Sequence, residues 1–505
     1  MFEWALFLIS MTTIWYLTSR LPDKYPPTPP IRLPILGHAH YLLLHGPTKS
    51  SVIYELFQRY SRDGILTLHV GTWRFTVIGT HKLVKDLFSR EDTNQRNPYF
   101  AKMGKMIRQS LTGTEGVVFN NGKNWHEQQR FMLSTLKNFG MGKTNVEGLI
   151  NNEVAHFCNY MEKVLIPQMG SRNEKERQLN IFHIPIINIL WDIVTGERYN
   201  YEDSKLDYLI KKIAEMMRVP LFQPTASTFL PILGKLFPSI DQPPSYAVIM
   251  EVKTYLSGIV KQHIDTFDSN NIRDFIDTYL LEIQDKGIEG SSFHPSQGYE
   301  QLVNCLIDLF VAGMETTGNT LSFAILFMVN NQEVQHKARE EIFDVIGRDR
   351  APTLADKAKM PYCEATVMEC QRFADVAPDG IPHWTKCSQR AGPYIIPEGH
   401  ILMSSLTAVM KGENEWNEPD NFDPTRFIED GKVRKSEAFI PFSAGKRQCP
   451  GESLAKAELF LFFVGLIQKF HFEAMQPGQK LEIVVDNGLT RMPLPTKPIK
   501  VTKII

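Results

Sequence analysis

The sequence predicts a mainly α protein with small β-sheets (an α+β arrangement), in one large domain carried behind an amino-terminal transmembrane helix. Three patterns predict it. Apolar residues recur at helical spacing over most of the stretch from about residue 80 to 375. Alternation with β-branched residues is confined to 65–79 and to short pieces near 384–405 and 480–500. An uncharged apolar run, WALFLISMTTIWYLT, fills residues 4–18. At 505 residues, 43% hydrophobic and 22% charged, the chain has material for a large buried core. Length alone suggests about three domains. No Gly/Ser linker, charge block or internal repeat divides the chain after residue 50, so a single body over 38–505 is preferred.

Taken in order, the first run extends from Phe2 to Ser19 and makes about 27 Å of helix, enough for a thin bilayer. A cleaved secretory signal is the alternative, but the run has no basic segment before it and no small-x-small cleavage site. Glu3 precedes it and Arg20, Lys24 and Arg32 follow, which places the remainder on the cytosolic side. Residues 1–20 are therefore expected to form a single-pass anchor. Residues 21–37, with Pro26-Pro27-Thr28-Pro29-Pro30, Pro34 and Gly37, are expected to form a stiff hinge; a ligand for a signalling domain is the competing reading of such prolines. The segment 65–79 reads as a hairpin turning at Gly71-Thr72, and 145–165, 203–217, 246–284 and 298–330 are the clearest helices. Between 220 and 245 four prolines interrupt an apolar segment. It is either a hydrophobic substrate entrance touching the membrane or a packed connection.

Lysine plus arginine (55) balances aspartate plus glutamate (56), and no polybasic run offers a surface for nucleic acid. The six cysteines include no CxxC pair, which argues against a disulfide framework or zinc ribbon and for a reducing compartment. Only Cys449 has an unusual neighbourhood, Phe442-Ser-Ala-Gly445-Lys-Arg447-Gln-Cys449-Pro-Gly451, followed at once by an apolar helical run. A sulfur just before a helix amino terminus meets free N–H groups and the positive end of the dipole, which favour a thiolate. A thiolate is what an axial iron ligand must be. Gly445 and Gly451 would let the backbone approach a flat macrocycle, Phe442 would cover the sulfur and Arg447 would pair with a propionate.

This segment resembles the haem-binding loop of the cytochrome P450 superfamily. Ala312-Gly313-Met314-Glu315-Thr316-Thr317, within a long apolar helix, would alone suggest a small-residue helix contact; its position before Cys449 makes it similar to the superfamily's oxygen-binding kink. The resemblance implies that Ala312 and Gly313 leave room for dioxygen, and that Thr316 and Glu315 deliver protons as catalytic residues. Glu369-x-x-Arg372 and Arg426 match the superfamily's structural triad. Arg96, Trp125 and His383 are implied to contact the haem propionates beside Arg447. Two positions depart from the pattern: Gln129 stands where an arginine is usual, with Arg130 one step later, and Ser443 stands where glycine is more frequent.

The resemblance covers nearly the whole chain and is nearest to the microsomal animal class of drug and steroid hydroxylases. It implies the P450 fold, haem b with Cys449 as the metal ligand, and a monooxygenase of the endoplasmic reticulum membrane. One atom of O2 would enter a lipophilic steroid, sesquiterpenoid, fatty acid or xenobiotic, by hydroxylation or epoxidation. No GxGxxG fingerprint is present, so electrons are expected from NADPH through a separate membrane-bound reductase flavoprotein, with cytochrome b5 as an optional second donor. Lys137, Lys143, Lys446 and Lys456 are candidate docking contacts. Two other classes compete: a haem-thiolate isomerase or dehydratase of a peroxide, against which Glu315-Thr316 counts, and a non-catalytic membrane haem sensor or carrier. Candidate specificity segments are 100–118, 205–245, Asp308 and Leu309, 376–381 and 487–489; they do not identify the substrate.

Overall fold

A computed structural model describes residues 10, 20–44, 52–96, 116–138, 144–168, 181–218, 225–237 and 246–504. The expected anchor, apart from Ser10 and Arg20, and most of the loop 100–118 lie outside the described residues. Among the described residues no helix is long and apolar enough to cross a membrane.

The architecture is mainly helical with small sheets, as expected, and is organised by one helix. Pro295–Asn330 runs for 36 residues and is buried along most of its length from Gln301 onward. It can afford this because its length, about 54 Å, is covered by His183–Thr195, Tyr246–Asp265, Pro361–Ala374 and Glu452–Lys469. His183–Thr195 was not among the clearest sequence helices because it lacks a polar face: eleven of its thirteen residues are buried. Thr144–Tyr160 and Ser204–Met217 match the expected spans. The stretch 246–284 divides into Tyr246–Asp265 and Phe275–Lys286. Asp274 causes the division, its carboxylate accepting the Asp277 N–H at 2.9 Å and so capping a new helix.

The hairpin is Ile65–Val70 and Trp73–Ile78, antiparallel, and Trp73–Ile78 continues in parallel with Ile401–Ser404, which pairs with His383–Trp384. All six residues of Ile65–Val70 are buried, because a cluster containing Ile65, Phe88 and Leu402 covers one face and a cluster containing Leu66, Val77 and Ile401 the other. The proline segment does not stand free as a spacer. Thr67 N–H donates to Pro27 O at 2.7 Å and the Tyr25 hydroxyl bonds His69 at 2.9 Å, so the segment is laid along this sheet, while Ile395 N–H, in the separate strand Tyr394–Ile396, donates to Lys24 O at 2.8 Å.

The triad is built as expected. Glu369 and Arg372, both wholly buried, pair at 2.7 and 2.9 Å, and Arg426 reaches the same carboxylate at 3.1 Å. Arg372 also donates to Met410 O and Pro419 O, which ties the loop leading to Cys449 onto Pro361–Ala374. Its work is positional, since a buried pair of this kind fixes geometry more than it adds stability.

Candidate active site

Two residues, Pro450 and Gly451, separate Cys449 from the helix Glu452–Lys469, so the sulfur stands just before a helix amino terminus, as expected. The loop that carries it is held by Cys449 N–H donating to Phe442 O at 3.0 Å and Lys446 N–H donating to Phe88 O at 3.1 Å. Gly445 is required here, for a reason other than the expected one. Its φ is +82°, and a Cβ would lie 2.2 Å from Phe88 O, so glycine serves a close approach of two backbones. Gly451 has an ordinary φ of −87°, and a Cβ there would stand 3.9 Å from the Cys449 sulfur. Ser443 has φ +62°, which explains why glycine is the commoner residue at that position.

Burial pushes the Cys449 thiol up, while the N–H groups of Gly451 and Glu452 pull it down; burial prevails. The expected thiolate therefore does not come from the helix end alone. A metal cation bound at the sulfur would favour the thiolate against that burial.

Above the loop, three basic groups are packed together. Arg447, half-buried, lies 3.6 Å from the Trp125 ring and donates to Asn94 O, Val117 O and Asn120 O and to the Asn121 side-chain oxygen. Arg96 donates only to the carbonyls of Val118, Ile381 and Pro382. Burial lowers Arg96 to about 9; burial and the Arg96 charge lower Arg447 to about 8. His383 stacks on Phe88 at 3.8 Å, and its Nδ1–H donates to Thr93 O at 2.8 Å, leaving Nε2 bare. Burial and both arginines hold His383 well below the usual histidine value. Among the described residues none of the three has a carboxylate at ion-pair distance. A buried and a half-buried guanidinium beside a neutral imidazole, with no anion among the described residues, fit a ligand bearing carboxylates, as haem does.

The central helix brings Ala312 and Thr316 to an accessible strip, although most of the helix is buried. Thr316 Oγ1 donates back to Ala312 O at 2.8 Å, and the helix runs unbroken through the expected kink. Gly313 answers a packing need: a Cβ would meet the Leu190 side chain at 2.8 Å. Glu315 is not brought together with Thr316. It is 1% exposed, accepting from His183 Nε2 and Asn319 Nδ2, each at 3.0 Å. Burial pushes Glu315 up, but His183 and Asn319 outweigh it and hold the carboxyl below its usual range.

Gln129 donates a long bond of 3.3 Å to Lys446 O, while Arg130 is exposed. Of the docking candidates, Lys446 pairs with Glu91, Lys456 pairs with Glu452, Lys137 is exposed, and Lys143 lies outside the described residues. From sequence alone Asp308 reads only as a specificity position. Its carboxylate accepts Val117 N–H at 2.7 Å and Val118 N–H at 3.0 Å, fastening the central helix to the segment that holds Arg447. A buried acid amid apolar helix residues was the available signal, and the partner amides lie 190 residues or more away.

Comparison with known proteins agrees with this geometry. The family model "Cytochrome P450" matches residues 26–502. Mouse (Mus musculus) cytochrome P450 2J5 is 33% identical over 495 residues, covering 97% of this chain and 92% of that protein. Human (Homo sapiens) cytochrome P450 2C8 is 34% identical over 478 residues, covering 93% and 92%. Rat (Rattus norvegicus) cytochrome P450 2D1 is 34% identical over 478 residues, covering 92% and 89%. A sulfur at a helix end, two guanidiniums beside its loop with no carboxylate at ion-pair distance among the described residues, and similarity along almost the full length converge, and the chain belongs to the cytochrome P450 family of haem-thiolate monooxygenases.

Proposed function

We propose that this monooxygenase inserts one atom of O2 into a lipophilic substrate, with electrons from NADPH delivered by a separate membrane reductase. The observation that carries this reading is the pair of guanidiniums, Arg447 and Arg96, beside a neutral His383 next to the Cys449 loop; without a carboxylate at ion-pair distance among the described residues, they fit a ligand that brings its own carboxylates. Bound there, haem supplies the activation of dioxygen, favoured by electron donation from a cysteine thiolate. Cys449 would hold it from below, and Arg447, Arg96 and His383 would hold its propionates, with Trp125 supporting Arg447. Phe442, half-buried in the same loop, accepts the Cys449 N–H on its carbonyl and would cover the sulfur.

The chain's own contribution to proton movement is read at Thr316. Its hydroxyl proton lies on the Ala312 carbonyl and can turn outward to the accessible strip. Glu315 stays in its buried pair with His183, so it acts as the second member of the relay only by leaving that pair. Ala312, the accessible residue one turn earlier, leaves open space at the strip.

Access is read from apolar surface. Leu230, Ile232, Leu236 and Phe237 are 49–64% exposed, and Ile31 and Ile35 are 57% and 65% exposed. The turn Gly71-Thr72 joins the two groups, since Gly71 N–H donates to Leu36 O and Thr72 N–H to Thr228 O. One apolar patch thus flanks the hinge, which fits a face resting on the endoplasmic reticulum membrane and admitting a membrane-dissolved substrate. Steroid, sesquiterpenoid, fatty acid and xenobiotic remain substrate classes of equal standing.

The test is the carbon monoxide difference spectrum of the reduced protein together with reductase-dependent NADPH and oxygen consumption. A red-shifted thiolate band is expected, and Cys449→Ser should abolish both it and turnover. Retained turnover in that variant would overturn the assignment.

A further inference from the structure

A crevice of ≈ 1030 Å³, large enough for a drug-sized ligand, opens between the helix Val52–Tyr60, the helix Leu406–Lys411 with its following loop, and the hairpin strands Ile483–Asn487 and Arg491–Pro495. None of the residues assigned above to haem or proton movement lines it. One wall is apolar: Phe327 and Phe373, with rings edge to face at 5.2 Å, and Ile483 and Val485. Two cations face the space. Arg491 is committed to Asp375 at 2.5 Å. The Lys411 ammonium has no ion pair or hydrogen bond among the described residues; it stands 5.5 Å from the Phe373 ring.

Burial, with Arg491 and Arg372, pushes Lys411 below the usual lysine value against the pull of Asp375 and Asp420. A half-buried ammonium without an anion carries a desolvation cost that a bound anion offsets. The carboxylates of the lining do not meet that need. Asp63 accepts the Tyr394 hydroxyl at 3.0 Å, Glu415 bonds His81 at 2.9 Å, and Glu413 and Asp420 are exposed at the rim, where water and salt screen them.

We propose that this crevice is a second ligand site, for a lipophilic carboxylic acid whose carboxylate pairs with Lys411 and whose hydrocarbon lies along Phe373, Phe327, Ile483 and Val485. The site does not depend on the haem chemistry. It borders that chemistry through the central helix, which carries Phe327 and Thr316, and through the hairpin whose tip is the specificity segment 487–489. Occupancy therefore bears on the elements that shape the substrate space.

The test uses the holoenzyme saturated with an azole inhibitor, which closes the haem pocket, and titrated with carboxyl-¹³C dodecanoate followed by NMR. A saturable shift of the carboxylate resonance is expected with the azole in place. Lys411→Gln should weaken it about tenfold, Lys411→Arg should keep it, and Gln58→Trp, at the exposed rim, should block it. Absence of binding beside the azole, or unaltered affinity in Lys411→Gln, overturns the proposal. If Lys411→Gln does not fold, the Gln58→Trp result decides in the same way. The azole's own spectral shift reports on the haem site separately, so failure of one reading is distinguishable from failure of the other.

Discussion

Replacing His183 with leucine should reverse the way Glu315 couples stability to pH. Side chains of His183 and Glu315 are 0% and 2% exposed and 3.0 Å apart. Burial is the largest influence on Glu315 and pushes it up; the charge and hydrogen bond of His183, then Asn319, bring it below the usual range. In the native chain this carboxyl therefore adds stability above the unfolded value of about 4.3, and that stability is lost as pH falls through the depressed folded value. His183→Leu removes the two strongest opposing influences and leaves burial against Asn319 and the weaker pull of Arg218. The folded value then rises above the unfolded one, and the contribution is lost as pH increases. Removing one partner of a buried pair costs about 3–5 kcal/mol; protonation of Glu315 and the retained Asn319 bond place this variant near the lower end. Urea unfolding followed by tryptophan fluorescence at pH 6, 7 and 8 reads both effects. The Glu315 contribution is flat over that range in the native protein, whereas the variant should lose up to about 1.4 kcal/mol per pH unit. Adding Glu315→Gln should remove this slope. Parallel pH profiles, or a loss below about 1 kcal/mol, would refute the reasoning.

Four further outcomes are expected. Thr316→Ala should preserve haem binding and raise the peroxide released per NADPH consumed; unchanged coupling removes Thr316 from proton delivery. Gly445→Ala, at φ +82° and 2.2 Å from Phe88 O, should cost about 2–3 kcal/mol and diminish the carbon monoxide band, read by thermal unfolding and difference spectra. His263, opposed by burial but raised by its 3.0 Å bond to Asp274, should stabilise the fold below about pH 6.5, and this should fade as pH rises through its higher folded value. His263→Gln should flatten that part of the urea-midpoint profile. Deleting residues 1–20 should leave the haem spectrum intact; a protein that no longer folds would contradict an anchor role.

The sequence made the Cys449 loop, the central helix and the Glu369 triad legible because each rests on short spacings that chain chemistry constrains directly. Contacts between distant segments were not legible in the same way. Nothing around Glu315 indicates that it faces His183, 132 positions earlier, instead of sharing a task with Thr316. Gly313 reads as room for a small molecule until Leu190 is found against it. The prolines of 21–37 lead one to expect stiffness, but what binds the segment to the sheet is the Pro27 carbonyl and Tyr25, whose partners lie in other parts of the chain. The break at Asp274 was missed because helical apolar spacing continues across it, while a capping carboxylate acts within one turn.

The positive charge gathered by Arg96 and Arg447 has a consequence for the life of the polypeptide before it meets its prosthetic group. Newly made chains enclose like charges that repel, and the dianion that neutralises them comes from outside the ribosome's product. Ligand binding of this kind shifts the folding balance by mass action, so cellular abundance of the protein should follow porphyrin supply even where its messenger RNA is constant.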